Sequence, residues 1–219
     1  MTAQWEQRTS APRAMCEELR DRARSHPVSA RAQAWDYLAG LGAREDHAGL
    51  AEVFAAGIAP EGPDGKMEGL IVGKLFGIPE ARLANPLMRI DPTWRGKTFD
   101  PAGGVGWNRL SPIARFVMPV ITAGYRGLRR VGAEMEGFDF AHALAPSWIE
   151  PDKTVRALDY AVPEYRNPGI RTFPIARTRD EIVEVIPGVY LGRALLRMNN
   201  GTIRPIAYFA LREPIGSPL

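Results

Sequence analysis

Residues 187–212 read PGVYLGRALLRMNNGTIRPIAYFALR, and this stretch decides the fold class of the chain. Apolar and polar side chains alternate over 188–198 and again over 203–212, which is the pattern of half-buried strands. The two runs are joined by Asn199-Asn200-Gly201, residues that accept positive φ angles in a tight turn. The sequence therefore predicts an antiparallel β-hairpin here.

Short β-rich runs separated by Gly and Pro extend this pattern toward the middle of the chain. They lie at 66–76, 86–90, 94–99, 106–110, 113–121, 127–135, 154–161 and 179–186. Strand follows strand without a helix-length spacer, so antiparallel pairing is expected. Closure of eight to ten such strands into a barrel would remove the sheet edges. Strand glycines suit bends at barrel corners, as at Gly69, Gly73, Gly96 and Gly192.

The first sixty residues differ, because apolar residues recur there at helical spacing between positions 11 and 57. Pro12 is expected one residue inside a first helix that ends before Pro27. Ser29 is expected to cap a second helix, and a third short apolar face ends at Gly57. We predict an α+β protein with a helical segment at 1–60 and a mainly antiparallel β-barrel domain at 61–219.

Composition excludes several classes of protein. The chain has 219 residues, of which 45% are hydrophobic and 24% charged, as in ordinary globular domains. No apolar run of about 18 residues occurs, and polar residues follow Met1. We therefore expect neither a membrane span nor a secretory leader, and a cytoplasmic location. The single cysteine, Cys16, excludes an intrachain disulfide and a cysteine-rich zinc site.

Charge and motif patterns argue against nucleic acid, metal and cofactor as partners. Lys and Arg number 28 against 25 Asp and Glu, and the one basic cluster, at 126–130, is followed at once by Glu134 and Glu136. The glycines at 103–106 form neither a G-x-G-x-x-G nor a Walker motif. The three histidines are scattered without an HExxH or H-x-H pattern.

The candidate functional residues are polar side chains inside apolar β-runs. Candidates for acid-base catalysis are Asp159, Tyr160, Asp180 and Glu181. Candidate ligand contacts are Trp94, Trp107, Tyr160, Arg179, Tyr190 and Arg193. Charges at strand ends also decorate exposed loops, and tryptophans such as Trp94, Trp107 and Trp148 also plug barrel ends, so a purely structural role stays open for each.

Strand alternation leaves two arrangements for residues 189–197. Tyr190 shares one face with Gly192 and Ala194, while Arg193 lies on the other. If the first face points into the barrel, its small residues leave space under the tyrosine. If the second face points inward, Arg193 is buried and must be paired, with Asp159, Asp180 or Glu181 available.

Two lysines, Lys74 and Lys97, each follow a glycine within predicted strands. A lysine removed from water can form a Schiff base. A surface lysine whose stem lies along the barrel while its amine reaches water is the simpler interpretation of both.

Several short motifs carry a family resemblance. They are WRGKTF at 94–99, G-x-N at 106–108, LDY at 158–160, RDE at 179–181, PGVYLGR at 187–193 and YFAL at 208–211. Together they resemble a group of bacterial proteins similar to lipocalin-like, or calycin, β-barrels, over residues 65–212. The resemblance implies a lipocalin-like barrel of eight to ten strands but no assigned chemistry. The chain lacks the G-x-W-x-G-x-G motif of haem-binding nitrobindins and the G-x-W motif of secreted lipocalins.

Three hypotheses about function remain. The first is a barrel that binds a hydrophobic or amphipathic small molecule, with an arginine or tyrosine fixing its polar end. The second is a cofactor-independent isomerase, cyclase or lyase that uses the same cavity. The third is an interaction module, with a homodimer as one form, whose N-terminal helices expose Trp5, Trp35 and Phe54 to a partner.

Overall fold

A computed structural model describes residues 2–76, 93–122, 125–169 and 175–214. Its strands are β1 (Gly65–Val72), β2 (Trp94–Asp100), β3 (Val105–Leu110), β4 (Arg129–Val131), β5 (Glu134–Pro146), β6 (Thr154–Asp159), β7 (Thr178–Ile186), β8 (Val189–Arg197) and β9 (Ile203–Arg212). Its α-helices are α1 (Thr2–Ser25), α2 (Pro27–Ala43), α3 (His47–Ala56) and α4 (Ala114–Ile121). The predicted strand at 86–90 lies outside the described residues.

The sheet closes on itself as an antiparallel barrel. Its strand order is β3-β2-β1-β9-β8-β7-β6-β5, and a further pairing between β3 and β5 closes the ring of eight. The short β4 pairs with the start of β5 and adds a ninth strand outside that ring. The α+β class and the antiparallel barrel preceded by helices are therefore confirmed.

The hairpin predicted from residues 187–212 forms in the expected place. Val189 pairs with Arg212 at one end and Arg197 with Ile203 at the other. The turn glycine, Gly201, has a φ of 82°, which is the left-handed conformation that the Asn-Asn-Gly sequence predicts. The local sequence therefore sets both the turn and the register of these two strands.

The structure corrects the predicted helix boundaries. The first helix already begins at Thr2, so Pro12 lies inside it, where the ring removes one backbone donor without ending the helix. Pro27 separates α1 from α2 as expected, but it is itself the first residue of α2 and Ser29 caps nothing. Asp46 caps α3 instead, accepting a hydrogen bond of 2.9 Å from the amide of Gly49.

Two predicted strands are also corrected. In place of the strand predicted at 113–121, residues 114–121 form helix α4, because the backbone carbonyl of Ser111 accepts the amide of Ala114 and turns the chain into a helical path. The β-branched residues of this segment suggested a strand, but Pro119 would have removed a ladder donor there. The run at 127–135 is not one strand: it contains β4 at 129–131 and, from residue 134, the start of the longer β5.

The helices pack on the outside of the barrel. The apolar layer between them includes Leu38, Leu50 and Phe54 from the helices and Val183 and Leu191 from the strands, all fully buried. The predicted domain boundary at residue 60 stays a prediction. No helix in the described ranges is long and apolar enough to span a bilayer.

A second apolar cluster fills the inside of the barrel. It contains side chains from strands all around the ring, with Phe99, Phe140 and Leu158 among the most deeply buried. Strand residues therefore alternate between this interior cluster and the outer face of the barrel, part of which the helices cover, except at bulges such as that between Trp94 and Gly96.

Candidate functional site

Three interior glycines are packed against aromatic rings. A β-carbon on Gly192 would lie 2.1 Å from the ring of Phe209, one on Gly69 would lie 2.5 Å from Trp94, and one on Gly106 would lie 2.5 Å from Phe140. The face of β8 that holds Tyr190 and Gly192 does point into the barrel, but the ring of Phe209 occupies the space beside Gly192. These three glycines therefore leave space for aromatic rings, whereas the prediction was that strand glycines allow bends at barrel corners.

A buried polar cluster lies among these rings. The Nζ atom of Lys97 donates to the hydroxyl of Tyr160 at 2.6 Å and to Oδ1 of Asn108 at 2.9 Å, and it lies 2.9 Å from Oδ2 of Asp180. Tyr160 in turn donates to Oδ2 of Asp180 at 2.9 Å. We call these four residues the Lys97 centre.

The Lys97 centre draws its members from different strands. Lys97 lies in β2, Asn108 in β3 and Asp180 in β7, while Tyr160 directly follows β6. Alternation within each strand turns their side chains inward next to apolar residues such as Phe99. The centre is therefore a product of barrel closure and cannot form from any one segment alone.

Asn108 ties the centre to the barrel wall. Its Nδ2 atom donates to the carbonyl oxygen of Phe138 at 3.1 Å, and its Oδ1 atom also accepts from the indole of Trp94 at 2.9 Å. These contacts fix the amide orientation, so that its oxygen faces Lys97 and Trp94.

Four aromatic rings surround the amine of Lys97. Their centroids lie 5.1–5.6 Å from Nζ and belong to Trp94, Phe140, Tyr160 and Phe209. Only 3% of the Lys97 side chain and 8% of the Asp180 side chain is exposed. Because the rings replace water around the amine, cation-π attraction and the aspartate are its main electrostatic support.

Burial changes the proton affinity of the centre. Loss of water lowers the pKa of Lys97, with Asp180 opposing that change. Loss of water and the nearby Asp180 raise the pKa of Tyr160 well above its usual range, so it remains a phenol at neutral pH. The centre thus places an amine, a carboxyl group and a phenol within mutual hydrogen-bond distance, which suits binding of a polar group or proton transfer.

Glu181 and Arg193 form a different buried pair, on the outer face of the barrel. Arg193 donates to Glu181 at 2.9 Å and to the hydroxyl of Ser147 at 2.8 Å. Its guanidinium also lies 4.0 Å from the ring centroid of Phe54 in α3. Arg193 therefore has one of the partners predicted for it, but beneath the helices and not inside the barrel.

The other predicted site residues are dispersed. Asp159 is exposed and accepts the amide of Ala161 in a turn. Trp107 lies on the outer face against Arg129, with 5.1 Å between the guanidinium carbon and the ring. Arg179 also faces outward, stacks on Trp148 and donates to a backbone carbonyl. Of the predicted residues, the structure gathers Tyr160 and Asp180, with Trp94 beside them.

Tyr190 lies toward the other end of the interior. Burial raises its pKa, and both Glu184 and Arg156 influence it from nearby. Arg156 donates to Nδ1 of His142 at 3.1 Å and to the carbonyl oxygen of Glu61 at 2.7 Å. These contacts close that end of the barrel with the chain between α3 and β1.

Two members of the centre, Lys97 and Asn108, were not among the predicted site residues, and the interpretation of Lys97 as a surface lysine is wrong, since only 3% of its side chain is exposed. Lys97 carried a signal, because it lies two residues before Phe99 on a predicted strand and therefore on the same face. The only feature of the sequence that marks Asn108 is the G-x-N motif to which it belongs. A strand position alone does not tell inside from outside, so neither signal could select these residues.

A depression of about 400 Å³ opens beside the interior cluster. It is lined by Arg115, Pro119, Tyr125, Arg126, Leu128 and Met135. The ring of Tyr125 stacks on Phe138 at 4.4 Å, and its hydroxyl accepts the amide of Phe138 at 2.8 Å. Asn108 bonds the carbonyl oxygen of Phe138, so this ring pair connects the lining of the depression to the Lys97 centre.

Among the described residues, no group of three or more His, Cys, Asp or Glu side chains is placed to hold a metal ion. No protein-family model matches the sequence, and neither does any curated protein or solved structure.

Proposed function

We propose that this lipocalin-like barrel binds a hydrophobic or amphipathic small molecule and that the Lys97 centre holds the polar end of the ligand. The observation that carries this proposal is the convergence of Lys97, Asn108, Tyr160 and Asp180 among the apolar and aromatic side chains inside the barrel. Removing a charged pair from water is costly, and apolar residues of similar size would support the fold at least as well. A polar centre in this position is the usual composition of a small-molecule site.

The depression beside Tyr125 supports the proposal, because it offers space for the apolar part of a ligand. Its volume of about 400 Å³ lies within the range of ligand pockets. Met135 and Tyr125 belong to the interior cluster, and the exposed Arg115 and Arg126 lie at the edge. A ligand that extends from here to Asn108 would displace the stacked rings of Tyr125 and Phe138.

Displacement of a fluorescent apolar probe tests this proposal. We expect 1-anilinonaphthalene-8-sulfonate to bind the protein and decan-1-ol to displace it. The substitution Leu128→Trp would fill the depression and weaken binding of both, whereas Val131→Trp, at a position 42% exposed outside the depression, would leave binding unchanged. Equal binding by both variants, or no binding by the unmodified protein, would overturn the proposal.

Native mass spectrometry of the purified protein would identify what it carries. We expect a bound molecule with a long apolar body and one polar group. A protein recovered free of small molecules, together with an absence of probe binding, would count against a binding function.

Acid-base catalysis is the second candidate, and the contact between Tyr160 and Asp180 favours it. Their 2.9 Å hydrogen bond, with Lys97 next to both, supplies a proton donor and acceptor without a cofactor. Asp159 and Glu181 support it less well, since one is exposed and the other is held by Arg193 outside the barrel. Incubation of the recovered ligand with the protein in D₂O separates the two functions: a carrier returns it unchanged, whereas an isomerase, cyclase or lyase exchanges its protons or transforms it.

A partner-binding role for the helices has weaker support. Phe54 is fully buried and Trp35 stacks on Arg212, while the side chain of Trp5 lies outside the described residues. We propose that the helices serve as a brace for a cytoplasmic barrel, with a homodimer as one possible assembly. Mass measurement by size-exclusion chromatography with light scattering decides between monomer and dimer.

A further inference from the structure

We propose that Lys97 binds an apolar aldehyde or ketone covalently, as a protonated imine with Asp180 as its counterion. This inference rests on the proposed ligand-binding function and names the chemical class of the ligand. It starts from the position of the amine, which lies at the meeting point of a carboxylate, a phenol and an amide.

The choice of lysine at this position is informative. The chain has 28 basic residues, and only Lys66, Lys74, Lys97 and Lys153 are lysines. Arg193 serves as the buried cation outside the barrel, and a guanidinium neither gives up its proton nor forms an imine. The primary amine of Lys97, inside the barrel, can both give up a proton and form an imine.

The other lysines have different surroundings. Lys66 and Lys74 are exposed, and the half-buried Lys153 donates to the carbonyl oxygens of Ala55 and Gly57. All four lysines lie within the described residues, and Lys97 alone among them faces the interior cluster. Burial, which lowers the pKa of Lys97, also increases the share of its reactive neutral amine at neutral pH.

The neighbours of Lys97 can carry each proton of the reaction. The ammonium gives one proton to the carboxylate of Asp180, 2.9 Å away, and the free amine then attacks the carbonyl carbon and forms the C–N bond. Tyr160, 2.6 Å from the amine, donates a proton to the carbonyl oxygen and regains one from the attacking nitrogen, which leaves a carbinolamine. The proton held by Asp180 converts the carbinolamine hydroxyl to water as the C–O bond breaks.

The products are one protonated imine and one water, and Asp180 and Tyr160 return to their starting states. The overall change joins an ammonium to a carbonyl compound with loss of water, so no oxidant or reductant is required. The positive charge of the ammonium is retained in the iminium.

The surroundings of the amine suit this product. The rings of Phe140 and Phe209, whose centroids lie 5.2 and 5.1 Å from Nζ, can contact both the iminium and the apolar chain attached to it. Asp180 remains as the compensating charge. A hydrophobic carbonyl compound fits these features better than a sugar or an amino acid, because the rings offer few polar partners.

Reductive trapping on the intact full-length protein tests the inference. The protein is incubated at neutral pH with decanal and sodium cyanoborohydride, and the modified lysines are mapped by peptide mass spectrometry. We expect a decyl group on Lys97, formed faster than on Lys66 or Lys74, because the lowered pKa of Lys97 leaves a larger share of free amine at neutral pH. Lys66 and Lys74 serve as internal controls.

Modification confined to Lys66, Lys74 or Lys153 would overturn the inference. Decan-1-ol separates this failure from failure of the proposed function. If decanal and decan-1-ol both displace the apolar probe while Lys97 stays unmodified, the binding function stands and imine formation is wrong. If neither displaces the probe, both are wrong.

Two variants sharpen the result. Asp180→Asn removes the carboxyl proton that converts the carbinolamine hydroxyl to water, and we expect slower trapping at Lys97 even though the loss of the Asp180 charge favours the free amine. Lys66→Met is the matched control and should leave trapping at Lys97 unchanged. Unchanged trapping in Asp180→Asn would contradict the assigned role of Asp180. Whether Lys97 forms an imine is decided by the peptide mapping of the protein without substitutions, which needs neither variant.

Discussion

Two buried cations, Lys97 inside the barrel and Arg193 outside it, are held in different ways. Arg193 donates to Glu181 through two nitrogens and also donates to Ser147 and Glu150. Lys97 instead meets three different chemical groups at one atom. The contacts of Arg193 suit a permanent ion pair, and those of Lys97 suit a group that changes partners.

Removal of the Tyr160 hydroxyl tests how far the centre depends on its hydrogen bonds. In Tyr160→Phe, Lys97 and Asn108 lose an acceptor and Asp180 loses a donor. We expect the free energy of unfolding to fall by about 1–3 kcal/mol, because buried partners are left unsatisfied. Urea denaturation measures the change, and Tyr165→Phe, in a short helical turn away from the centre, is the control. Equal stability of the two variants would contradict the network.

The pH profile of trapping tests the lowered pKa of Lys97. Desolvation favours the neutral amine while Asp180 favours the charged one, and the net shift is downward. The trapping rate at Lys97 should therefore rise with pH. It should level off at a lower pH than the rate for a lysine in a small peptide, whose pKa is about 10.4. Rates at Lys97 and on N-acetyl-lysine methyl ester are compared across pH, and coincident profiles would contradict a desolvated amine.

At the scale of elements, local sequence predicts some structure well and fails in other places for physical reasons. The β8–β9 hairpin follows from alternation and a turn sequence, both of which are local. Helix α4 was predicted as a strand, because its β-branched residues have strand propensity and the turn at Ser111 outweighs it. Residues 136–146 of β5 also escaped prediction: β6 pairs with this strand as the next strand along the chain, but its other partner, β3, pairs with it across the intervening α4 and β4.

The packing of Phe209 on Gly192 is a prediction at the scale of a strand pair. Gly192→Ala places a methyl group where the ring already lies, so we expect a loss of about 1–3 kcal/mol of stability. Gly62→Ala is the matched control, because the nearest atom to its new carbon is 3.9 Å away. Phe209→Leu combined with Gly192→Ala should recover part of the loss in urea denaturation, and no recovery would point to another cause.

The buried ion pair of Arg193 and Glu181 should anchor α3 to the barrel. Arg193→Met leaves the fully buried carboxylate of Glu181 without its main partner, which costs about 3–5 kcal/mol in comparable pairs. Because Arg193 also stacks on Phe54, hydrogen exchange should quicken over α3. Arg197→Met, at an exposed position stacked on Trp148, is the control. Unchanged exchange in α3 would contradict an anchoring role.

At the scale of the whole molecule, closure of the barrel assembles the Lys97 centre. Sequence patterns predicted strands, helices and their order, and they selected Tyr160 and Asp180 among several polar residues. They did not select Lys97 and Asn108, which are cross-strand partners in β2 and β3, because only the pairing of β3 with β5 completes the ring that brings this pair to Tyr160 and Asp180. For the same reason they could not exclude Asp159 or Glu181, which the closed barrel turns outward.

A crystal structure of the protein with decan-1-ol tests the central claim most directly. The account predicts the alcohol oxygen within about 3.2 Å of Lys97 Nζ or of the Asn108 amide, with the alkyl chain leading toward the depression and the rings of Tyr125 and Phe138 displaced. Decan-1-ol bound only on the outer surface, with that ring pair and the Lys97 centre unchanged, would contradict it.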